Sequence, residues 1–274
     1  MTDRTGFTPV RRSASFSTRR VRGAWFWYAP FLAIPALCLI SIVLVGFMVK
    51  EPKREEAKPI KEFLQSLKSV FAEKGRWLYA IFIIGGICMF LLFGVLFYLS
   101  DELEKKHGLD GVVKGLVLAI PLAALCLASY LTGKKIGKNK KLMKWCGVIG
   151  LVLATGAFFG ISLFNNIYFV IACLIVSGVG IGIVLPSSDA LITEGVEMEL
   201  RGTITSIYSS MRFIGVSLGP PVISVLVHAG HMLMFIVIGA VALIGVILLL
   251  FMVKPESGEG RGKKTKAPRP VHQG

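Results

Sequence analysis

The residues best suited to chemistry in this chain surround Arg212, a lone charge inside an apolar run at 204–228. Tyr208 and Ser209 lie one turn before it, and we consider all three candidates for lining a substrate cavity. Arg212 lies eight residues into this run, or roughly 12 Å along a helix. An ionisable group at such depth usually faces protein or water and marks a functional site. Snorkelling of the long side chain to the interface explains it equally well.

Two acids are the expected partners of Arg212, because they end the preceding apolar run. These are Asp189 and Glu194. Elsewhere the apolar runs carry no cluster of His, Asp or Glu, so an enzyme is not expected. The five cysteines lie within these runs without CxxC spacing, and His228 and His231 flank a short turn without a third ligand in sequence. We therefore predict no metal and no cofactor.

The chain contains seven long apolar runs, and none has an acid in its middle. A helix needs roughly 20 apolar residues to cross a bilayer, and charge at mid-depth is costly. The pattern predicts an all-α membrane protein with seven transmembrane helices. Their predicted ranges are 24–49, 77–100, 112–133, 144–163, 166–186, 204–228 and 231–253.

The positive charges alternate between connections and predict the orientation. Eight Lys and Arg lie in 50–76, and six Lys lie in 134–144. The tail 254–274 holds six more, whereas 164–165 and 229–230 hold none. The positive-inside rule places these basic segments in the cytoplasm. By alternation, the segment 187–203 and the C-terminus lie on the same side. The net charge of +15 thus fits a membrane surface, and no nucleic-acid partner is expected.

The N-terminal tail 1–22 conflicts with this orientation. Seven spans place it outside, yet it holds six Arg and no Lys, while the other 252 residues hold six Arg and nineteen Lys. A foreign or out-of-frame start joined to an interrupted protein explains this usage. A transit-like peptide and a native basic tail remain open as alternatives.

The segment 50–76 is predicted to be an amphipathic linker at the cytoplasmic interface. Apolar residues recur at helical spacing from Ile60 to Phe71, with Pro59 at the expected start and Gly75 at the expected end. The six spans that follow, 77–253, form one predicted bundle.

Two motifs give the chain its resemblance to a known family. The turn from Leu131 to Lys141 carries Gly133, Gly137 and Lys138 within a basic cluster, although Lys134 stands where the family's motif has an acid. The second motif, Gly215-x-x-x-Gly219-Pro220, also has the spacing that lets helices pack closely. Together they resemble the C-terminal half of a major facilitator superfamily transporter, most like bacterial drug-efflux antiporters. Residues 24–49 then correspond to the family's sixth span, and 50–76 to its central linker.

The resemblance implies proton-coupled efflux of hydrophobic or cationic drugs by the complete, multi-pass cell-membrane protein. It also implies that this chain is a truncated form, inactive alone, which needs a separate N-terminal half. A half-transporter that works as two copies, with Gly215 and Gly219 as contact points, is one alternative. A non-transporting scaffold or partner subunit is another. Phe90 and Phe93 are further cavity candidates, because the family places their span near the cavity, although lipid contact and packing explain such aromatics as well.

Overall fold

The computed structural model describes residues 29–48, 60–137, 139–164 and 166–253, and these form helices with short connections. The chain divides into two compact units, 1–59 and 60–274. The tails 1–22 and 254–274 and the first ten linker residues lie outside the described residues, so the predictions made for them stay predictions. The all-helical membrane class is confirmed.

The first unit contains one described helix, α1, from Ala29 to Met48. It forms within the first predicted span, and its apolar stretch is Ile34–Phe47. Large aliphatic side chains such as Leu37 and Ile42 are exposed along it. That stretch is shorter than the apolar helices of the second unit, and Pro35 lies inside the helix.

The second unit contains six helices that are long and apolar enough to cross a membrane. They are α2 (Ile60–Lys105), α3 (Gly111–Lys135), α4 (Lys140–Leu163), α5 (Ile167–Gly195), α6 (Met198–Val227) and α7 (His231–Met252). The predicted six-span bundle is therefore present, with several boundaries shifted.

The predicted end of the linker helix at Gly75 is wrong. The helix that begins at Ile60 continues without a break through the first span of the bundle as α2. One glycine costs a helix only about 1 kcal/mol, and packing on both sides of Gly75 offsets this. The Phe71 ring lies 5.6 Å from the Tyr79 ring and 6.4 Å from the Phe82 ring.

The predicted loop at 187–203 is also wrong. Helix α5 continues to Gly195 and α6 begins at Met198, so only residues 196 and 197 lie between them. Leu191 and Ile192 extend the buried face of α5 beyond Pro186, which explains why the helix does not stop there. As a consequence, Asp189 lies inside a spanning helix rather than in a loop.

Glycines set the distances between the helices of the bundle. A Cβ placed on Gly178 would lie 2.6 Å from the carbonyl oxygen of Pro121, and one on Gly182 would lie 2.5 Å from that of Leu125. Such contacts leave no room for a side chain, so α5 packs directly against the backbone of α3. Large apolar side chains such as Val112 and Leu116 remain exposed, as lipid contact requires.

Candidate substrate site

The site is built on the contact between α2 and α6, which run in parallel. Gly215 packs against the carbonyl oxygen of Gly86, and a Cβ on Gly219 would lie 2.8 Å from the amide nitrogen of Gly94. The spacing Gly215-x-x-x-Gly219 therefore brings two backbones together, as predicted. The partner glycines on α2 were not identified from the sequence, although Gly86 and Gly94 lie eight residues apart and share one helix face.

This contact contradicts one prediction made for a pair of chains. Gly215 and Gly219 are buried, and α2 of the same chain already covers them. They are therefore not available as contact points between two copies. Packing inside the bundle uses the close approach that small residues permit.

Tyr208 is locked in place at one end of this contact. Its ring packs on Gly85, where no side chain intervenes, and lies 6.3 Å from the Phe82 ring. The residue is only 1% exposed. Ser188 of α5 lies close to its hydroxyl, but the hydroxyl has no partner of acceptable hydrogen-bond geometry among the described residues. A buried hydroxyl without a partner is uncommon in folded proteins.

Arg212 lies one turn beyond Tyr208 and connects it to α5. Its guanidinium carbon is 5.5 Å from the centroid of the Tyr208 ring, a cation–π arrangement. Its Nη1 lies 3.7 Å from Oδ1 of Asp189. Of the two expected partners, the structure thus places Asp189 beside Arg212. The contact is an ion pair rather than a hydrogen bond, because it exceeds hydrogen-bond length.

The position of Arg212 along its helix differs from the sequence estimate. Helix α6 begins six residues earlier than predicted, so Arg212 follows its first residue by fourteen positions, or about 21 Å of helix rise. Its side chain is 26% exposed, and that of Asp189 is 50% exposed. Asp189 lies six residues before the end of α5, so the pair forms about 9 Å along α5 from that end.

The other cavity candidates lie apart from this trio. Ser209 is partly exposed on the same turn as Tyr208. Phe90 contacts Gly219 through its carbonyl oxygen, eleven residues or about 16 Å along α6 from Tyr208. The Phe93 side chain is exposed on α2. No described contact joins Phe90 or Phe93 to Arg212, so their role stays a prediction.

The exposed face of α6 combines serine hydroxyls with large apolar side chains such as Phe213 and Val225. Ser206, Ser210 and Ser217 each donate a hydrogen bond to the carbonyl oxygen four residues earlier. These bonds satisfy the hydroxyls within the helix and let it tolerate an apolar environment. Even so, α6 has the lowest mean hydropathy of the six spans. Such a mixed face suits contact with another protein helix.

The basic turn between α3 and α4 keeps part of its predicted form. Gly137 has a φ of +52°, a backbone region that favours glycine. Asn139 caps α4 by accepting hydrogen bonds from Lys141 and Leu142. Gly133 lies near the end of α3, where a Cβ would meet open space. Lys138 falls outside the described residues, so its predicted part in the motif stays a prediction.

Polar side chains also gather at the opposite end of the bundle. Lys106 pairs with Glu102 at 2.7 Å, and the His231 ring lies 6.0 Å from that of Tyr98. Among the described residues, no group of three or more His, Cys, Asp or Glu is arranged to hold a metal ion. This end therefore offers no metal centre in the part of the chain that the structure describes.

Six helices that are long and apolar enough to cross a membrane place the chain among the helical membrane proteins. The sequence profile of the Major Facilitator Superfamily matches residues 18–220 and 144–273. The chain therefore belongs to the Major Facilitator Superfamily, and the predicted resemblance is confirmed.

Two relatives from Bacillus subtilis (strain 168) are similar to most of this chain. The bacillibactin exporter is 49% identical over 237 residues, which cover 86% of this chain and 59% of that protein. The multidrug efflux protein YfmO is 28% identical over 244 residues, covering 86% of this chain and 57% of that protein. The chain thus spans less than two thirds of the length of these relatives.

Proposed function

We propose that this chain supplies the C-terminal six-helix bundle of a small-molecule exporter driven by proton antiport. The observation that carries this proposal is the Arg212–Asp189 ion pair, which joins two spanning helices beside a row of hydroxyls on α6. Charged groups within membrane-spanning helices usually serve substrate or ion pathways. The similarity to two export proteins supports the outward direction.

The proposal includes the need for a second bundle. Transporters of this superfamily work by rocking one six-helix half against the other around a site between them. In the described part of this chain, α3 and α6 are the least buried of the six spans. Their exposed faces fit contact with a second half, with the basic turn and the C-terminus on the cytoplasmic side.

Efflux from cells tests this proposal. Bacteria lacking their main efflux pumps would express the chain alone, a matching N-terminal bundle alone, or both. We expect fluorescent drug accumulation to fall only with both bundles, and to recover when a protonophore dissipates the proton gradient. Unchanged accumulation with both bundles present in the membrane would argue for a non-transporting scaffold.

Two copies of this chain are the second candidate. The superfamily's halves are related by an axis along the membrane normal, so a pair of copies could imitate the whole. Efflux by the chain alone would support that arrangement. Because Gly215 and Gly219 are covered, the contact would have to use the exposed faces of α3 or α6.

A further inference from the structure

The guanidinium of Arg212 has more hydrogen-bonding capacity than the described residues use. It carries five N–H donors. Its nearest described acid is Asp189 at 3.7 Å, and within the described residues it makes no hydrogen bond. A charged donor in an environment of low dielectric interacts most strongly with anionic oxygen atoms. The residue therefore has free capacity for an anion.

The surroundings of Arg212 hold it ready for such a ligand. The ring of Tyr208 lies under the guanidinium at 5.5 Å and is itself fixed against Gly85 and Phe82. Arg212 is about one quarter exposed and Asp189 about half exposed, so both can be reached. Tyr208 thus acts as a positioning residue, and Asp189 provides a weakly held negative charge beside the cation.

We propose that Arg212 binds an anionic oxygen group of the substrate, a carboxylate, sulfonate or phosphate, and that this group displaces Asp189. The proposal rests on the proposed export function and names the substrate class for the same site. It differs from the expectation of a cationic drug, because the N–H donors and positive charge of Arg212 favour an anionic group.

Opposite effects of two substitutions separate this proposal from a structural role. Arg212→Gln removes the cation and should weaken binding of an anion by about tenfold or more. Asp189→Asn removes the competing internal anion and should tighten binding by severalfold. A purely structural ion pair would instead make both variants less stable, with no opposite change in affinity.

The test uses the purified full chain in phosphatidylcholine nanodiscs. The probes are 4-(1-pyrenyl)butyrate and its trimethylammonium counterpart, which share the apolar body and differ in charge. Energy transfer from tryptophans of the chain to pyrene reports binding. Arg201→Gln is the matched control, because Arg201 lies on the same helix but bonds to the carbonyl oxygen of Val196.

We expect the anionic probe to bind more weakly to Arg212→Gln, more tightly to Asp189→Asn and with unchanged affinity to Arg201→Gln. The cationic probe should not show this pattern. Equal changes for both probes, or unaltered anion binding in Arg212→Gln, would overturn the proposal. Displacement of the anionic probe by phosphatidylglycerol in the Arg201→Gln control would assign Arg212 to lipid headgroups, which also contradicts it.

This experiment does not depend on transport. Selective anion binding without efflux in the two-bundle cells would count against the export function while supporting the site. Efflux without selective anion binding would support the export function and count against the anion site.

Discussion

At the residue scale, Arg212 links the sequence to the site most directly. Its position in an apolar run indicated a functional group, and Asp189 was one of the two partners expected for it. The stacking on Tyr208 could not be predicted, because it depends on Gly85 of a helix more than 100 residues away in sequence. Small residues on two helices permit such an approach, but sequence spacing alone does not pair them.

Substitution of Arg212 in a complete two-bundle exporter should impair transport without loss of expression. Arg212→Ala removes the charge and the stacking on Tyr208, whereas Arg212→Lys keeps the charge and should be milder. Initial export rates normalised to membrane protein would measure this, with Arg201→Ala as control. Normal export by Arg212→Ala would show that the side chain has no part in transport.

Alanine at Gly215 and at Gly202 should change stability in opposite directions. Both positions lie in α6, but Gly215 packs on the carbonyl oxygen of Gly86, whereas a Cβ on Gly202 would meet no atom of another helix within 4 Å. Gly202→Ala should stabilise by roughly 0.5–1 kcal/mol through helix propensity. Gly215→Ala should destabilise by about 1–3 kcal/mol, because the added methyl overpacks the contact.

Thermal unfolding of the two variants in the same detergent would provide the comparison. A rise in Tm for both would mean that the α2–α6 contact is looser than the structure shows.

At the element scale, the apolar runs predicted the six helices of the bundle but not all of their ends. The helix ends predicted at Gly75 and at 187–203 were wrong for the same physical reason. Helix ends outside the lipid are set by packing of residues such as Phe71, Leu191 and Ile192, not by mean hydropathy. Helix α5 therefore carries Asp189 as part of a rigid element, and this places the acid beside Arg212.

The basic turn should govern membrane orientation. Replacing Lys134, Lys135, Lys138, Lys140 and Lys141 by Gln removes an acid-free positive cluster and should invert part of the population. Lys144 stays, because its Nζ donates a hydrogen bond to the carbonyl oxygen of Leu250. Protease accessibility of the C-terminus would measure the inverted fraction. An unchanged pattern would show that the 50–76 segment sets the orientation.

Single cysteines at two connections should label from opposite sides of the membrane. His107→Cys and Asn139→Cys lie in connections separated by α3 alone. In a background without other reactive cysteines, an impermeant maleimide added outside intact cells should label position 107 and not 139. Labelling of both positions from one side would contradict the crossing of α3.

At the scale of the whole molecule, the second unit is one six-helix bundle whose interior is apolar and closely packed. Its two least buried helices, α3 and α6, differ in character, since α6 exposes a row of hydroxyls and carries Arg212. A site open on one side of a single bundle suits a transporter completed by a second bundle. Family membership could be predicted from the sequence motifs, whereas the burial of Gly215 and Gly219 needed the structure.

Transport by purified protein in liposomes is the most direct test of whether this bundle needs a second bundle to export its substrate. Proteoliposomes with an acidic interior would contain the chain alone or the chain with a matching N-terminal bundle, and would be given labelled anionic, neutral and cationic amphiphiles. We predict uptake that depends on the proton gradient only when both bundles are present. Gradient-driven uptake by the chain alone, or none with both bundles correctly inserted, would contradict the account.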